Sequence, residues 1–192
     1  MKRYPWWFLL FWLPSFLNSE YGMTGTQVSL PLVVVYTLSA FGSITGGWLS
    51  GFLINKGWPV YKARKAAMLI FSFFIISVIS AQAIGRINPW FAIVIIGIAL
   101  TCHQGWSSNI YTLPSDMFPK KAVGTVVGLG GMAGTIGATI ISRVAGGVLD
   151  HFKSAGHIET GYYIMFFISG FGYLTAWTIM HLLAPEMQKA KM

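Results

Sequence analysis

The sequence is short of charge. Asp, Glu, Lys and Arg make up 9% of its 192 residues, against about a quarter in soluble domains. So few charged side chains cannot cover a soluble globule of this size. Acidic residues are scarcest, five in all, and none lies inside a long apolar run. A single cysteine, Cys102, excludes an intramolecular disulfide and a CxxC-type metal site. Met1-Lys2-Arg3 runs into an aromatic stretch with no small-residue cleavage site, which excludes a typical cleavable signal peptide.

Hydrophobic residues are abundant, at 55%, and they fall in continuous runs. About 20 apolar residues suffice to cross a bilayer core as a helix. Continuous rather than alternating runs favour helices over a barrel. The expected fold is all-α: a polytopic membrane bundle of six transmembrane helices at roughly 4–17, 28–54, 66–85, 89–113, 122–149 and 161–184. Pro5, Pro31 and Pro89 fall near helix starts, where a missing N–H is harmless. Pro14, Pro114 and Pro185 fall near exits, and Pro59 and Pro119 fall in loops.

The net charge of +8 does not indicate nucleic-acid binding, because the basic residues sit in short loops between apolar runs. With both termini cytoplasmic, ten of the thirteen basic residues lie inside: Lys2, Arg3, Lys56, Lys62, Arg64, Lys65, Lys120, Lys121, Lys189 and Lys191. Arg86, Lys153 and Arg143, in the outer part of the fifth run, lie outside. This positive-inside bias predicts N-in, C-in topology in a cell's inner (plasma) membrane. The first run is short. A helix from Pro5 to Leu17 reaches roughly 20 Å against a core of roughly 30 Å, so it reads either as an interfacial aromatic helix or as a spanning helix lacking its first turns. The second choice implies that the chain is missing a preceding piece.

Small residues suggest close helix packing. The second run carries Gly42, Gly46, Gly47 and Gly51, and the fifth carries Gly124, Gly128, Gly130, Gly131, Gly134 and Gly137. In lipid, such residues let backbones approach. The fifth-run cluster could equally leave room for a ligand or a sliding neighbour.

The fourth run is the polar one. Helical spacing puts Gln104, Ser108, Tyr111, Thr112 and Ser115 on one stripe with Asn109 at its margin. Polar groups within a membrane face partner helices or a wet cavity, so the stripe suits either interhelical hydrogen bonds or the hydroxyls and carboxylate of a substrate. His103, near the middle of this run, suits a bond to a neighbouring helix or a proton relay. Trp6, Trp7 and Trp12 suit an interfacial belt or stacking on a sugar face, and Tyr36 adds a hydroxyl to a similar role. His151, His157 and Glu159 lack a fourth partner for a metal site, and no cofactor motif is present. Ser115 and Asp116 point about 100° apart on a helix, which excludes them as a nucleophile and base pair.

Two stretches carry a family resemblance. Gly46-Gly47-Trp48-Leu49-Ser50-Gly51, ahead of the basic residues Lys56 to Lys65, resembles the degenerate second copy of the loop motif of the major facilitator superfamily, with Ser50 in place of aspartate. His103-Gln104-Gly105-Trp106-Ser107-Ser108-Asn109 runs through Ser115-Asp116-Met117-Phe118-Pro119-Lys120-Lys121 to Gly128-Leu129-Gly130-Gly131-Met132-Ala133-Gly134. With Trp6-Trp7-Phe8 and Phe11-Trp12-Leu13-Pro14, it is similar to the hexuronate-transporter branch of the anion:cation symporter family. The resemblance implies helices seven to twelve of a twelve-helix carrier. It implies proton-coupled symport of sugar acids such as glucuronate and galacturonate, with Ser108 at a substrate position and Gly131 where a related carrier has a polar ligand. It places the coupling carboxylates and the main substrate-charge arginine in the other half. The expected partners are therefore lipid, a sugar acid and proton, and a missing six-helix half or a second copy in a homodimer. The alternative is a truncated bundle that folds without transporting.

Overall fold

The computed structural model describes the backbone of residues 4–186 and the side chains of residues 12–186. Among the described residues every regular element is helical. α1 spans Tyr4–Tyr21, α2 Thr26–Asn55 and α3 Val60–Ile76. α3 continues through a 3-10 turn, Ser77–Ser80, into α4, Ala81–Gly85; α5 spans Pro89–Met117, α6 Lys120–Ser154 and α7 Ile158–Leu183. Five spans are long and apolar enough to cross a membrane: α2, Val60–Gly85, α5, α6 and α7. With α1 they form the expected all-α membrane bundle.

Local chemistry sets the boundaries. α2 ends at Gly57 (φ 89°), where the Gly57 N–H donates to Ile54 O at 2.9 Å and the Trp58 N–H to Leu53 O at 3.2 Å. α6 ends the same way at Gly156 (φ 78°), with the His157 N–H donating to Phe152 O at 2.8 Å. Both are Schellman closures, and the left-handed residue each needs is supplied by glycine. α5 begins at Pro89 behind Asn88, whose side chain accepts from the Trp90 N–H at 2.9 Å.

Several boundaries differ from the sequence expectation, and α6 runs five residues further, to Ser154. α1 runs on to Tyr21, so its 18 residues reach about 27 Å rather than the shorter length read from Leu17. α5 carries Pro114 inside its last turn and continues to Met117. α3 begins six residues early, so Lys62, Arg64 and Lys65 lie on its first turns and not in a loop. The physical reason is that Arg64 and Lys65 find partners: Arg64 pairs with Asp116 at the end of α5, and Lys65 donates to the carbonyls of Ala184 and Pro185 after α7. The Trp177 indole N–H in turn donates to Lys65 O at 2.8 Å. Asp116, rejected above as a base for Ser115, is held by Arg64.

These contacts gather the start of α3 and the ends of α5 and α7 at one end of the bundle, where α6 starts three residues after α5 ends. At the other, the Gln82 amide on α4 donates to the Glu20 carboxylate at 2.9 Å and to Glu159 O at 3.0 Å. One apolar core, around Phe16, Leu17, Ile93, Ile96, Leu149, Tyr162 and Phe166, joins α1, α5, α6 and α7. A second, around Met68, Phe71, Ile75, Trp106 and Tyr173, joins α3, α5 and α7. α5 is therefore the central helix. α2 packs along it more extensively than any other pair in the bundle.

Candidate functional site

α2 can lie against α5 because its facing positions are small. A Cβ on Gly42 would fall 2.0 Å from Thr101 O and 2.8 Å from Gln104 Cβ. One on Gly46 would fall 2.3 Å from Ser108 Oγ and 2.5 Å from the Gly105 backbone. Backbone therefore meets backbone, and polar side chains bridge the seam. The Thr101 hydroxyl donates to Leu38 O at 2.8 Å, and the Asn109 amide donates to Gly46 O at 3.0 Å and Gly105 O at 2.9 Å.

Asn109, which helical spacing puts at the margin of the stripe, belongs to this seam. It is fully buried in the α2–α5 seam, where its amide N–H groups are taken by backbone and its Oδ1 has no hydrogen-bond partner. Gln104, Ser108, Tyr111 and Thr112 remain half-buried, and Ser115 is exposed. Continuing the stripe towards the start of α5 brings Thr101 and Gly97, which meet Leu38 of α2. The Ser108 and Thr112 hydroxyls bond their own helix, Ser108 to Gly105 O at 2.9 Å and Thr112 to Asn109 O at 2.8 Å. Their lone pairs stay available to a substrate hydroxyl.

His103 lies across the helix from this stripe. It is 3% exposed, within hydrogen-bond distance of the Tyr173 hydroxyl and edge-on to that ring, and Trp106 packs edge-on to Tyr173 from the next turn. It belongs to the inner core with α7. Tyr36 lies on α2 beyond Gly42 and is 37% exposed. Trp6 and Trp7 are on α1, but their side chains fall outside the described residues. Trp12 packs partly buried against the first core. Ser50, at the aspartate position of the loop motif, donates to Gly46 O and Gly47 O, both at 3.2 Å, and so binds its own helix.

The glycines of α6 behave differently from those of α2. A Cβ on Gly124, Gly128 or Gly131 would meet nothing within 4 Å. Gly124 and Gly128, expected at a packing contact, meet no other helix among the described residues. Gly134 is buried and Gly130 half-buried.

The same bare side of α6 carries a polar surface that reading the sequence by loops and stripes passed over. Thr135, Ala138, Thr139, Ser142 and Arg143 line an open groove of about 420 Å³. The available signal was Arg143 itself, a charge inside an apolar run. Among the described residues no group of three or more His, Cys, Asp or Glu side chains could hold a metal ion. His157 pairs with Glu159 at 3.4 Å.

Residues 4–142 match the family model described as Major Facilitator Superfamily. The D-galactonate transporter of Escherichia coli O6:H1 (strain CFT073) is 24% identical over 140 residues, which are 73% of this chain and 32% of that protein. The hexuronate transporter of Escherichia coli K12 is 26% identical over 140 residues, 72% of this chain and 32% of that protein. The chloroplastic sodium-dependent phosphate transport protein 1 of Arabidopsis thaliana is 23% identical over 172 residues, 82% of this chain and 31% of that protein. The chain thus spans about a third of the length of the curated relatives it matches. These relatives are transporters and not enzymes, and with a family model covering most of its length, this six-helix chain belongs to the major facilitator superfamily.

Proposed function

We propose that the chain is the C-terminal half of a secondary carrier of sugar acids of the hexuronate and aldonate class, with α5 forming one wall of the substrate passage. One observation carries this reading: Gln104, Ser108 and Thr112 stay half-open on the central helix of a membrane bundle, at the edge of the α2–α5 seam where Gln104 and Ser108 also meet Gly42 and Gly46. Polar side chains at that depth are costly unless they meet water, a partner or a ligand. Relatives named for galactonate and hexuronate transport supply the substrate class. The reading places both termini in the cytoplasm and the bundle in a cell's inner membrane.

Coupling to protons belongs to this proposal too, with the coupling groups supplied by a second six-helix half, since alternating access needs two bundles around one site. His103 is not assigned to it, because its ring is enclosed with Tyr173. A second reading, a bundle that folds without transporting, is favoured by one feature: no Asp or Glu among the described residues lies in the interior of a helix span.

The test is uptake of labelled glucuronate, galacturonate and galactonate by cells making this chain together with an N-terminal six-helix half of a matched relative. Uptake above that of either half alone is expected. Replacing Ser108 or Gln104 by alanine is expected to raise KM about tenfold, the weight of one or two hydrogen bonds to a charged or polyhydroxy ligand. Absence of uptake with every such half, beside an active full-length control, leaves the non-transporting bundle.

A further inference from the structure

The groove on α6 is chemically sorted. Thr135 donates its hydroxyl proton to Gly131 O and Thr139 donates to Thr135 O, both at 3.1 Å, so each presents oxygen lone pairs to the groove. Ser142 and Arg143, one turn further on, are donors. Thr139 and Arg143 are about 6 Å apart along the helix axis and Thr135 and Arg143 about 12 Å. An acceptor end and a cationic donor end at this spacing match a molecule with hydroxyls at one end and a carboxylate at the other.

Arg143 is also out of place for a structural charge. It lies six residues past the middle of the 35-residue α6, about 9 Å along the axis, within the half-thickness of about 15 Å of a hydrocarbon core. It is exposed, and among the described residues neither ion pair includes it. Of the acidic residues towards the outer end, Glu20 is already engaged by Gln82, Glu159 pairs with His157, and Asp150 lies on α6 itself, seven residues and about 10 Å past Arg143. A bare guanidinium at this depth needs water, a counter-charge or a headgroup. The floor beside it is small, with Ala138 inside the groove and Gly131 and Gly128 open below it.

We propose that Arg143, with Ser142, binds the carboxylate of the transported sugar acid, while Thr139 and Thr135 accept from its hydroxyls. This half would then carry an anion subsite of its own on α6, facing the passage together with the α5 stripe. A guanidinium suits this role through its paired donors, which meet both oxygens of a carboxylate. The proposal rests on the sugar-acid reading above.

The test uses the full chain in phosphatidylcholine nanodiscs, with phenylglyoxal modification of each arginine followed by mass spectrometry. Glucuronate is expected to slow modification of Arg143 severalfold, glucose to leave it unchanged, and Arg86 to respond to neither. Equal rates at Arg143 with and without glucuronate overturn the subsite. Protection that appears only on adding phosphatidylglycerol, with no glucuronate effect in neutral discs, assigns Arg143 to lipid headgroups and overturns it as well. In the two-half uptake assay R143Q is expected to raise KM about tenfold or more, with partial recovery in R143K. An unchanged KM in R143Q also counts against the subsite. Uptake without Arg143 protection sinks the subsite and leaves the sugar-acid reading intact; protection without uptake does the reverse.

Discussion

Gly46 and Gly128 look alike in the sequence, each a glycine in a small-residue frame on a membrane-length helix, and the structure separates them. A methyl group on Gly46 would enter the Ser108 hydroxyl and the Gly105 backbone at 2.3 and 2.5 Å, where nothing can yield without moving α2 off α5. One on Gly128 meets open space. G46A is therefore expected to destabilise the chain by about 1–3 kcal/mol, the cost of overpacking a tight contact. G128A is expected to be neutral or stabilising by up to about 1 kcal/mol through helix propensity. Thermal unfolding in detergent distinguishes the two, and similar shifts for both would contradict the α2–α5 seam. Asn109 belongs to the same seam. Its amide clamps Gly46 O across the helices, so N109A is expected to cost about 0.6–2 kcal/mol and to lower stability before it alters substrate affinity. Spacing alone put Asn109 beside Ser108; which side of a 100° step faces the neighbour is fixed by the glycines opposite, and those lie on another helix.

At the scale of elements, the apolar runs made the six segments legible, and among the described residues five of them are long and apolar enough to cross a membrane. The ends were less legible. The start of α3 reads as a basic loop, since Lys62, Arg64 and Lys65 interrupt the hydropathy. Its helical state depends on Asp116, fifty-two residues on, and on carbonyls after α7. Long-range partners of that kind leave no mark in a local window. They also tie α3, α5 and α7 together at one end of the bundle. D116N is expected to loosen that end, speeding backbone hydrogen exchange in the first turns of α3 and the last turn of α5, while exchange around Gln82 stays unchanged. The exchanged pair R64D/D116R is expected to restore protection. Uniform acceleration along α3 in D116N would mean that the ion pair supports the whole helix and does not fasten its end.

For the whole molecule, the distribution of charge makes a claim about direction. Two sets of contacts define the ends of the bundle: Arg64–Asp116 with Lys65–Ala184 at one, and Glu20–Gln82–Glu159 at the other. Lys56, Lys62, Lys120 and Lys121 accompany the first set, and Arg86 and Lys153 the second. A basic excess at one end predicts that this end is retained in the cytoplasm. The lone cysteine makes the prediction practical to check. Cys102 is buried in the core between α3, α5 and α7, so it contributes little background to labelling, and C102A removes what remains. In that background, single cysteines at Arg86 or Lys153 are expected to react with a membrane-impermeant maleimide in intact cells. Cysteines at Lys56 or Lys121 are expected to react only after permeabilisation. The reverse pattern would invert the bundle and turn the Arg143 groove towards the cytoplasmic side of the passage. Labelling at both ends in intact cells would instead mean mixed insertion, which a +8 chain with only five acidic residues should resist, because basic residues set orientation whereas acidic ones contribute little.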